Sequence, residues 1–475
     1  MKLKPYAEYR DSSVPWLDCL PSSWETRRAK TLFQIVDIRS ETGQEELLTV
    51  SSKNGVIPRR NATVTMFKAE SYVGYKLCWP GDLVINSLWA WMQGLGFACY
   101  NGIISSAYGV YRLNGDYSEN FLFFDYLLRS YAYLWELRVR SKGIWRSRYQ
   151  LTDDSFLDMP ILIPPKEDQR QIIAYLDSES RKISRLIRNK RRLIELLKEQ
   201  KQAIINQAVT HGIDPNVRLK PSGVEWLGDI PEHWEVRRLR TIASVKPSGV
   251  DKNSIENEQP VLLCNYVDVY KNEVITNKID FMKATATQDE IRAFELKAGD
   301  VVITKDSESW DDIAVPAFVP ETLPGVVCAY HLAIVRPNTK LIDGEFLFRA
   351  FSSDPIADQF RVSANGVTRY GLAQGAIKSA FFPFPPKEEQ RKIIEFISEK
   401  SSEIHAAISH AEREIELMRE YRKRLIADVV TGKVDVRDVP VETVPQGLEE
   451  LEEPTESEEM EEAFGEKEEI QDADE

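Results

Sequence analysis

Twelve residues in loop-like settings carry the side chains by which this chain could do chemistry. They are Lys53, Asn54, Arg59, Arg60, Gln93, Arg146, Arg148 and Tyr149 in the first half, and Lys305, Ser307, Arg369 and Tyr370 in the second. Arg, Lys, Asn and Gln offer the donors and acceptors that phosphate oxygens and base edges require, and nearby aromatics add apolar contact. Any one of them alone is an ordinary surface-loop residue. The signal is that they recur. Ser51-Ser52-Lys53-Asn54, Arg59-Arg60 and Trp89-Ala90-Trp91-Met92-Gln93 mark the first half, and Thr304-Lys305-Asp306-Ser307 stands in the second where Asn86-Ser87 stands in the first. Each half then has a Gly-plus-basic loop, Gly143-Ile144-Trp145-Arg146-Ser147-Arg148-Tyr149 and Asn365-Gly366-Val367-Thr368-Arg369-Tyr370.

Bond-breaking chemistry finds no matching set. There is no G-x-x-x-x-G-K-[ST] phosphate loop and no G-x-G-x-x-G after a strand-like run, and the five histidines are scattered. An amino-methyltransferase acting on a flipped base needs Asn or Asp before Pro-Pro-aromatic; Asp214-Pro215-Asn216 and Asp354-Pro355-Ile356 both fail that pattern. Five cysteines, odd in number and without C-x-x-C spacing, indicate buried thiols, not a disulfide framework or a zinc cluster. A non-catalytic chain with no cofactor or metal of its own is the expectation.

The elements that must position these loops come in two copies. Pro164 to Thr210 returns without a gap as Pro385 to Thr431, at an offset of 221. The Trp16-Leu17…Trp24-Glu25 stretch pairs with Trp226-Leu227…Trp234-Glu235 at an offset of 210, and Gly81-Asp82-Leu83-Val84-Ile85 pairs with Gly299-Asp300-Val301-Val302-Ile303 at 218. Insertions have therefore accumulated in the first part of each unit and none in its last, as expected of a domain with variable loops followed by a helix of fixed length. A period this long is a duplicated domain, not a solenoid repeat.

In the gapless block, Ile172, Leu176, Ile183, Leu186, Leu193, Leu197 and Ile204 keep helical spacing, widened by Ile173, Ile187 and Ile194. Ile393, Ile397, Ile404, Ile408, Ile415, Met418 and Leu425 repeat the stripe. Helices of roughly 40 residues, about 60 Å long, follow from these stripes; Pro-Pro precedes each and Gly212 and Gly432 lie near their ends. A single apolar stripe of that length needs a partner, and antiparallel pairing of the two copies is the expectation. Arg181, Lys182, Arg185, Arg188, Lys190, Arg191 and Arg192 make the first helix basic, while glutamates bring the second near neutrality; solvated, ion-paired faces are expected. The globular parts read as mixed: strands over Asp82–Asn86, Gly102–Ser106, Val110–Leu113, Val261–Leu263, Val301–Thr304, Val326–Ala329 and Leu332–Arg336, with helices near Asn120–Ser130 and Glu345–Ser353.

Charge sharpens the division. From Pro440 to Glu475 there are sixteen acidic residues against one lysine, so this segment holds all of the net −14 and the remainder is near +1. Such a composition cannot bury enough surface to order itself. No run approaches the ~18 apolar residues of a membrane span, and Met-Lys-Leu-Lys-Pro-Tyr lacks the apolar core of a signal peptide, so a cytoplasmic protein is expected.

These residues resemble a known family. S-G-V-E-W-L-G-D-I-P-E-H-W-E-V-R-R-L from Ser222 to Leu239, its weaker first copy from Ser13 to Arg28, and the twice-occurring P-P-K-E-[DE]-Q-R-x-I-I are similar to the specificity subunit of type I restriction-modification systems. The first copy departs from the pattern at Pro15 and Ser23, and the acidic tail is no part of it. The resemblance implies an α+β chain whose expected parts are a target-recognition domain over 1–163, a spacer helix over 164–212, a second recognition domain over 213–384, a second helix over 385–436 and an acidic disordered tail over 437–475. It further implies that each recognition domain binds half of a split double-stranded DNA site, and that two methyltransferase subunits using S-adenosylmethionine are recruited. Restriction subunits using ATP and Mg would join through them. The alternatives are a specificity protein of a modification-only or phage-defence system and, from another class, a coiled-coil scaffold that never touches DNA.

Overall fold

The Pro-Pro pairs are followed at once by two long helices. In the computed structural model, which describes residues 3–62, 69, 71–144, 148–255 and 258–441, helix α1 spans Lys166–His211 and helix α2 spans Lys387–Val430. Proline lacks an amide proton, so it sits harmlessly before a first turn whose N–H groups have no partner. The glutamine of the repeated motif has a local reason. Gln169 and Gln390, both buried, fold back so that Nε2 donates to the Pro164 carbonyl at 2.8 Å and to the Pro385 carbonyl at 2.9 Å. Each helix stops at a glycine with φ of +76°, Gly212 and Gly432. After α2, Gly432 N–H donates to Val429 O at 3.1 Å and Lys433 N–H to Asp428 O at 2.9 Å, the double bond that satisfies terminal carbonyls.

The structure divides into two compact units, and the boundaries fall inside both helices. One unit takes the described residues of Met1–Lys190 and Arg413–Glu475, the other Arg191–Glu412. Each unit thus owns the start of one helix and the end of the other. In the first unit Ile172, Tyr175 and Leu176 of α1 share a core with Leu425, Val429 and Val430 of α2 and with Trp24. Arg422 Nη1 donates to Ser184 Oγ at 3.2 Å and Lys190 pairs with Glu414 at 2.6 Å, so the two helical segments of this unit run antiparallel. In the second unit Ile205, Ala208 and Val209 of α1 share a core with Ile393, Ile397 and Trp234, and Lys201 Nζ lies 3.0 Å from His405 Nε2.

The stripe needs one correction. Leu186 and Leu193 are exposed, and Ile187 is the buried residue of that turn. The second helix buries Ile393, Ile397, Ile404, Ile415 and Leu425 as read. Arg437 to Val441, expected to open the tail, instead fold back: Gln171 Nε2 donates to the Val436 and Val439 carbonyls, and Arg437 pairs with Asp435 at 2.7 Å. The rest of the acidic tail lies outside the described residues.

Each unit has a four-stranded antiparallel sheet. In the first its order is Phe33–Ile35, Gly109–Leu113, Asp82–Ile85, Leu95–Phe97, and in the second Ala243–Pro247, Leu332–Pro337, Val301–Thr304, Pro316–Phe318. The expected strands and helices are present with ends shifted by one or two residues; Phe121–Leu128 and Gly344–Phe351 are the helices. The Gly-Asp motif serves a buried ion pair in both units. Asp82 receives Arg112 Nε and Nη2, each at 2.7 Å, and Asp300 receives Arg336 in the same fork, again at 2.7 Å for both bonds. A further backbone amide, of Trp79 and of Lys297, completes each carboxylate. Gly81 and Gly299, both at φ +88°, turn the chain just before it. No helix among the described residues is long and apolar enough to cross a membrane.

The two terminal glycines differ in what surrounds them, which separates them experimentally. A β-carbon on Gly432 would lie 2.6 Å from Pro21 ring atoms, whereas on Gly212 its nearest neighbour is Trp234 Cζ2 at 3.3 Å. Gly212→Ala should cost about 1–2 kcal/mol for the left-handed backbone alone, and Gly432→Ala measurably more. Urea unfolding of the two variants checks this; equal losses would contradict it.

Candidate nucleic-acid interface

The Gly-plus-basic loops are built alike in the two units. Gly143 packs its Cα against the carbonyl of Arg148, and Gly366 against the carbonyl of Arg369, at approaches that no β-carbon could share. Glycine is therefore a requirement of close backbone contact, and the arginine follows it at the tip. Both loops are pinned just past the end of the same inner strand: Leu151 N–H donates to Ser87 O and Leu372 N–H to Lys305 O, each at 2.9 Å. This anchor places Arg148-Tyr149 and Arg369-Tyr370 at equivalent positions. Arg146 lies outside the described residues.

In the second unit four sequence candidates meet. Asp306–Ser307 pairs with Tyr370–Gly371, which pairs with Asn365–Gly366, a small sheet joining the Lys305 segment to the basic loop. Ser307 is buried and its Oγ accepts from Ser309 N–H at 3.2 Å, so its hydroxyl supports the turn. Lys305 Nζ donates to Ser248 O at 3.3 Å. Arg369 is exposed, with Nη2 3.1 Å from Nδ1 and 3.2 Å from Nε2 of His331. His331 Nδ1 in turn donates to Asp306 Oδ2 at 2.9 Å.

In the first unit the candidates separate into two places. Lys53 and Asn54 form the turn between Leu48–Ser51 and Gly55–Pro58, where Ser51 Oγ accepts from both of their amides. Arg129 reaches the Lys53 carbonyl from the far side. Gln93 adjoins the same arginine, but its Nε2 donates to the carbonyls of Arg129 and Ser130 at 2.9 and 3.0 Å. With φ at +63° it closes a tight turn, and its amide donors are already used. Arg59 and Arg60 lie at the opposite end of the strand Gly55–Pro58, roughly 13 Å away at ~3.3 Å per residue, with Arg60 paired to Glu46 at 3.3 Å. Tyr149 packs edge-on to Trp91 at 5.8 Å, and Trp91 stacks on Trp89 at 6.4 Å.

Sequence reasoning singled out neither Trp91 nor the Asp306–His331 pair as site residues. Their signal lay in position: Trp91 three residues before the Gly94 turn, His331 at the end of a β-rich run facing the loop after Thr304. The basic face of α1 is partly neutralised, since Lys182 pairs with Glu179, Lys190 with Glu414, and Arg192 with Glu195 and Glu199. That agrees with the ion-paired face expected there.

This arrangement of paired α+β units agrees with comparison to known proteins. Residues 231–415 match the model of the type I restriction modification DNA specificity domain. The MjaX type I restriction enzyme specificity subunit, so assigned in Methanocaldococcus jannaschii, is 24% identical over 309 residues, 63% of this chain and 64% of that one. The MjaVIII specificity subunit of the same organism is 22% identical over 287 residues, 60% of this chain and 64% of the relative. The matched region thus spans less than two thirds of either relative's length. A solved chain described in the structural basis of complex assembly and conformational transition of the type I R-M system shares the fold, with a TM-score of 0.63, 15% identity, and coverage of 87% of this chain and 99% of that one. By motif, family model and fold, the chain resembles the specificity subunits of type I restriction-modification systems.

Gln93 and Arg148 should respond in opposite ways to truncation. Gln93→Ala removes two interior hydrogen bonds and is expected to cost about 1–2 kcal/mol of stability. Arg148→Ala, at an exposed loop tip, should stay within about 0.5 kcal/mol of the parent. Chemical denaturation of both variants is the check, and the reverse ranking would refute this division of roles.

Proposed function

We propose that this chain is the DNA sequence-specificity subunit of a type I restriction-modification complex. The observation that carries the reading is a frame repeated with different tips. The same Asp–Arg fork and the same leucine-to-carbonyl anchor occur in both units, while Ser87 and Ala107 of the first are replaced by Lys305 and His331 in the second. Diverged tips on a shared frame suit two domains that read different halves of a bipartite site. In this reading the chain performs no chemistry and holds no cofactor. Two methyltransferase subunits dock on the long helices and supply S-adenosylmethionine-dependent transfer to adenine; restriction subunits join through them with ATP and Mg. The complex works where the DNA is, in the cytoplasm.

A body near neutrality gives little phosphate attraction by itself, because affinity for DNA comes mostly from neutralised phosphates. The isolated chain is therefore expected to bind DNA weakly, with sequence-specific binding appearing when methyltransferase subunits are added in a gel-shift assay. Tight, specific binding by the chain alone would sink that part of the proposal. Mapping methylated adenines in cells that express the chain with its methyltransferase partners tests the whole reading. A split motif with two defined halves and an unread gap is expected; the absence of any such motif overturns it.

The helices are proposed to set the gap. Four residues inserted after Leu196 and four after Leu417 nearly preserve the apolar spacing and lengthen each helix by about 6 Å. DNA rises about 3.4 Å per base pair, so the gap should grow by one or two base pairs while both half-sites stay the same. Methylation mapping in cells carrying the insertions reads the outcome. An unchanged gap would assign the measurement to some other element.

A further inference from the structure

Arg369 is held in a way that its counterpart is not. Arg148 has no partner among the described residues, and the position equivalent to His331, counted from the forked arginine, is Ala107. We propose that Asp306, His331 and Arg369 form the base-reading element of the second unit, in which Arg369 reads a guanine and His331 is its positioning residue. This rests on the functional reading above and goes further, by naming one base of one half-site.

The chemistry runs outward from the carboxylate. A carboxylate accepts only, so the 2.9 Å bond from Asp306 Oδ2 puts the ring proton on Nδ1 and leaves the lone pair on Nε2. Arg369 Nη2 lies astride the two ring nitrogens, at 3.1 and 3.2 Å, so it sits over the face of the imidazole and packs its cation on the ring. Three chain segments fix this arrangement: Lys305 N–H donates to His331 O at 3.0 Å, Leu372 N–H donates to Lys305 O at 2.9 Å, and Ser307 pairs with Tyr370. A long arginine side chain on an exposed loop is thereby ordered before it meets a ligand, which lowers the entropy lost on binding.

Two features select a base edge over a phosphate. Asp306 is 26% exposed, so its negative charge stands beside the contact and repels a phosphate, a full anion, far more than the uncharged edge of a base. With one Nη2 N–H resting on the ring face, its second N–H and a neighbouring donor still make a fork, and guanine, with O6 and N7 side by side, is the base that accepts two arginine donors. Tyr330, its ring centroid 3.5 Å from that of His331 and 41% exposed, adds an apolar wall to the same spot.

Methylated adenines mapped in cells carrying the full chain with its methyltransferase subunits decide the matter, for the parent and for R369A, R369K and H331A. The parent motif should contain a G·C pair in the second half-site. R369A and R369K should make that one position degenerate, lysine keeping the charge without the fork, and H331A should relax the same position by about tenfold. The first half-site and the gap should not change. Relaxation at no position, relaxation in the first half-site, or an even loss over all sites as from a phosphate contact, would each overturn the proposal. R369K alters an exposed side chain and leaves the fold, so an unchanged second half-site in that variant is decisive even if an alanine variant fails to fold. A parent that methylates no bipartite site would instead count against the functional reading itself.

Discussion

A carboxylate buried at the start of an inner strand of each four-stranded sheet fixes the register of the loops at the strand's far end. Asp82 and Asp300 are 1% and 0% exposed, and each is satisfied by a forked arginine from the neighbouring strand and by a backbone amide. Leaving such a group unpaired costs about 3–5 kcal/mol, so the strands Asp82–Ile85 and Gly109–Leu113, and likewise Val301–Thr304 and Leu332–Pro337, have one register and no near alternative. A slip of one residue would break the fork and turn the sheet's apolar side chains outward. Just beyond the other ends of these strands, five residues away, stand Ser87 and Ala107 in one unit and Lys305 and His331 in the other. The ion pair at one end is thus the reference from which the candidate interface at the other end is registered.

The same economy governs the helices. Neither α1 nor α2 completes a unit alone, because each core contains the beginning of one helix and the end of the other. Trp24 lies against the glycine that ends α2, and Trp234 against the glycine that ends α1. A residue added to one helix only would misplace the contacts that its partner segment makes, Ser184 with Arg422 in one unit and Lys201 with His405 in the other. That constraint gives a physical account of why the repeat is gapless over this block while its offset drifts from 210 to 221 across the globular parts.

What the chain's order of residues made plain were features with local causes. Glycine-bounded runs such as Val301–Thr304 became strands because β-branched side chains fill a buried sheet, and the helix limits followed from Pro-Pro and glycine. Features that depend on distant partners were not readable. Arg112 lies thirty residues from Asp82, and nothing in either segment declares the fork until the strands are paired. Gln93 is a candidate for DNA contact by residue type alone; a left-handed turn and two carbonyls of the segment after Phe121–Leu128 take its amide. Lys53 and Arg60 are seven residues apart in the chain, and the four-residue strand Gly55–Pro58 puts them at its opposite ends. The pairing of His331 with Arg369 joins residues 38 apart, and only the anchor at Lys305 brings them together.

Net charge turns out to describe the body of this protein poorly. The near-zero balance arises from local pairs at the surface, such as Arg27 with Glu25 at 2.7 Å, Arg170 with Glu167 at 2.7 Å and Arg60 with Glu46 at 3.3 Å, all well exposed. Pairs of this kind contribute roughly 0–1 kcal/mol each, so their arginines are lightly held and a phosphate can take them over at small cost. The forked arginines are different: Arg112 and Arg336 are bound to buried carboxylates and are not exchangeable on those terms. Sorting cations by what holds them, instead of summing them, divides this surface into arginines that build the frame, arginines that can be borrowed, and tip residues such as Arg148 and Arg369 whose free donors face outward. The tip pairs Arg148-Tyr149 and Arg369-Tyr370 are the same in both units, and the difference lies beside them, Ser87 and Ala107 in one against Lys305 and His331 in the other.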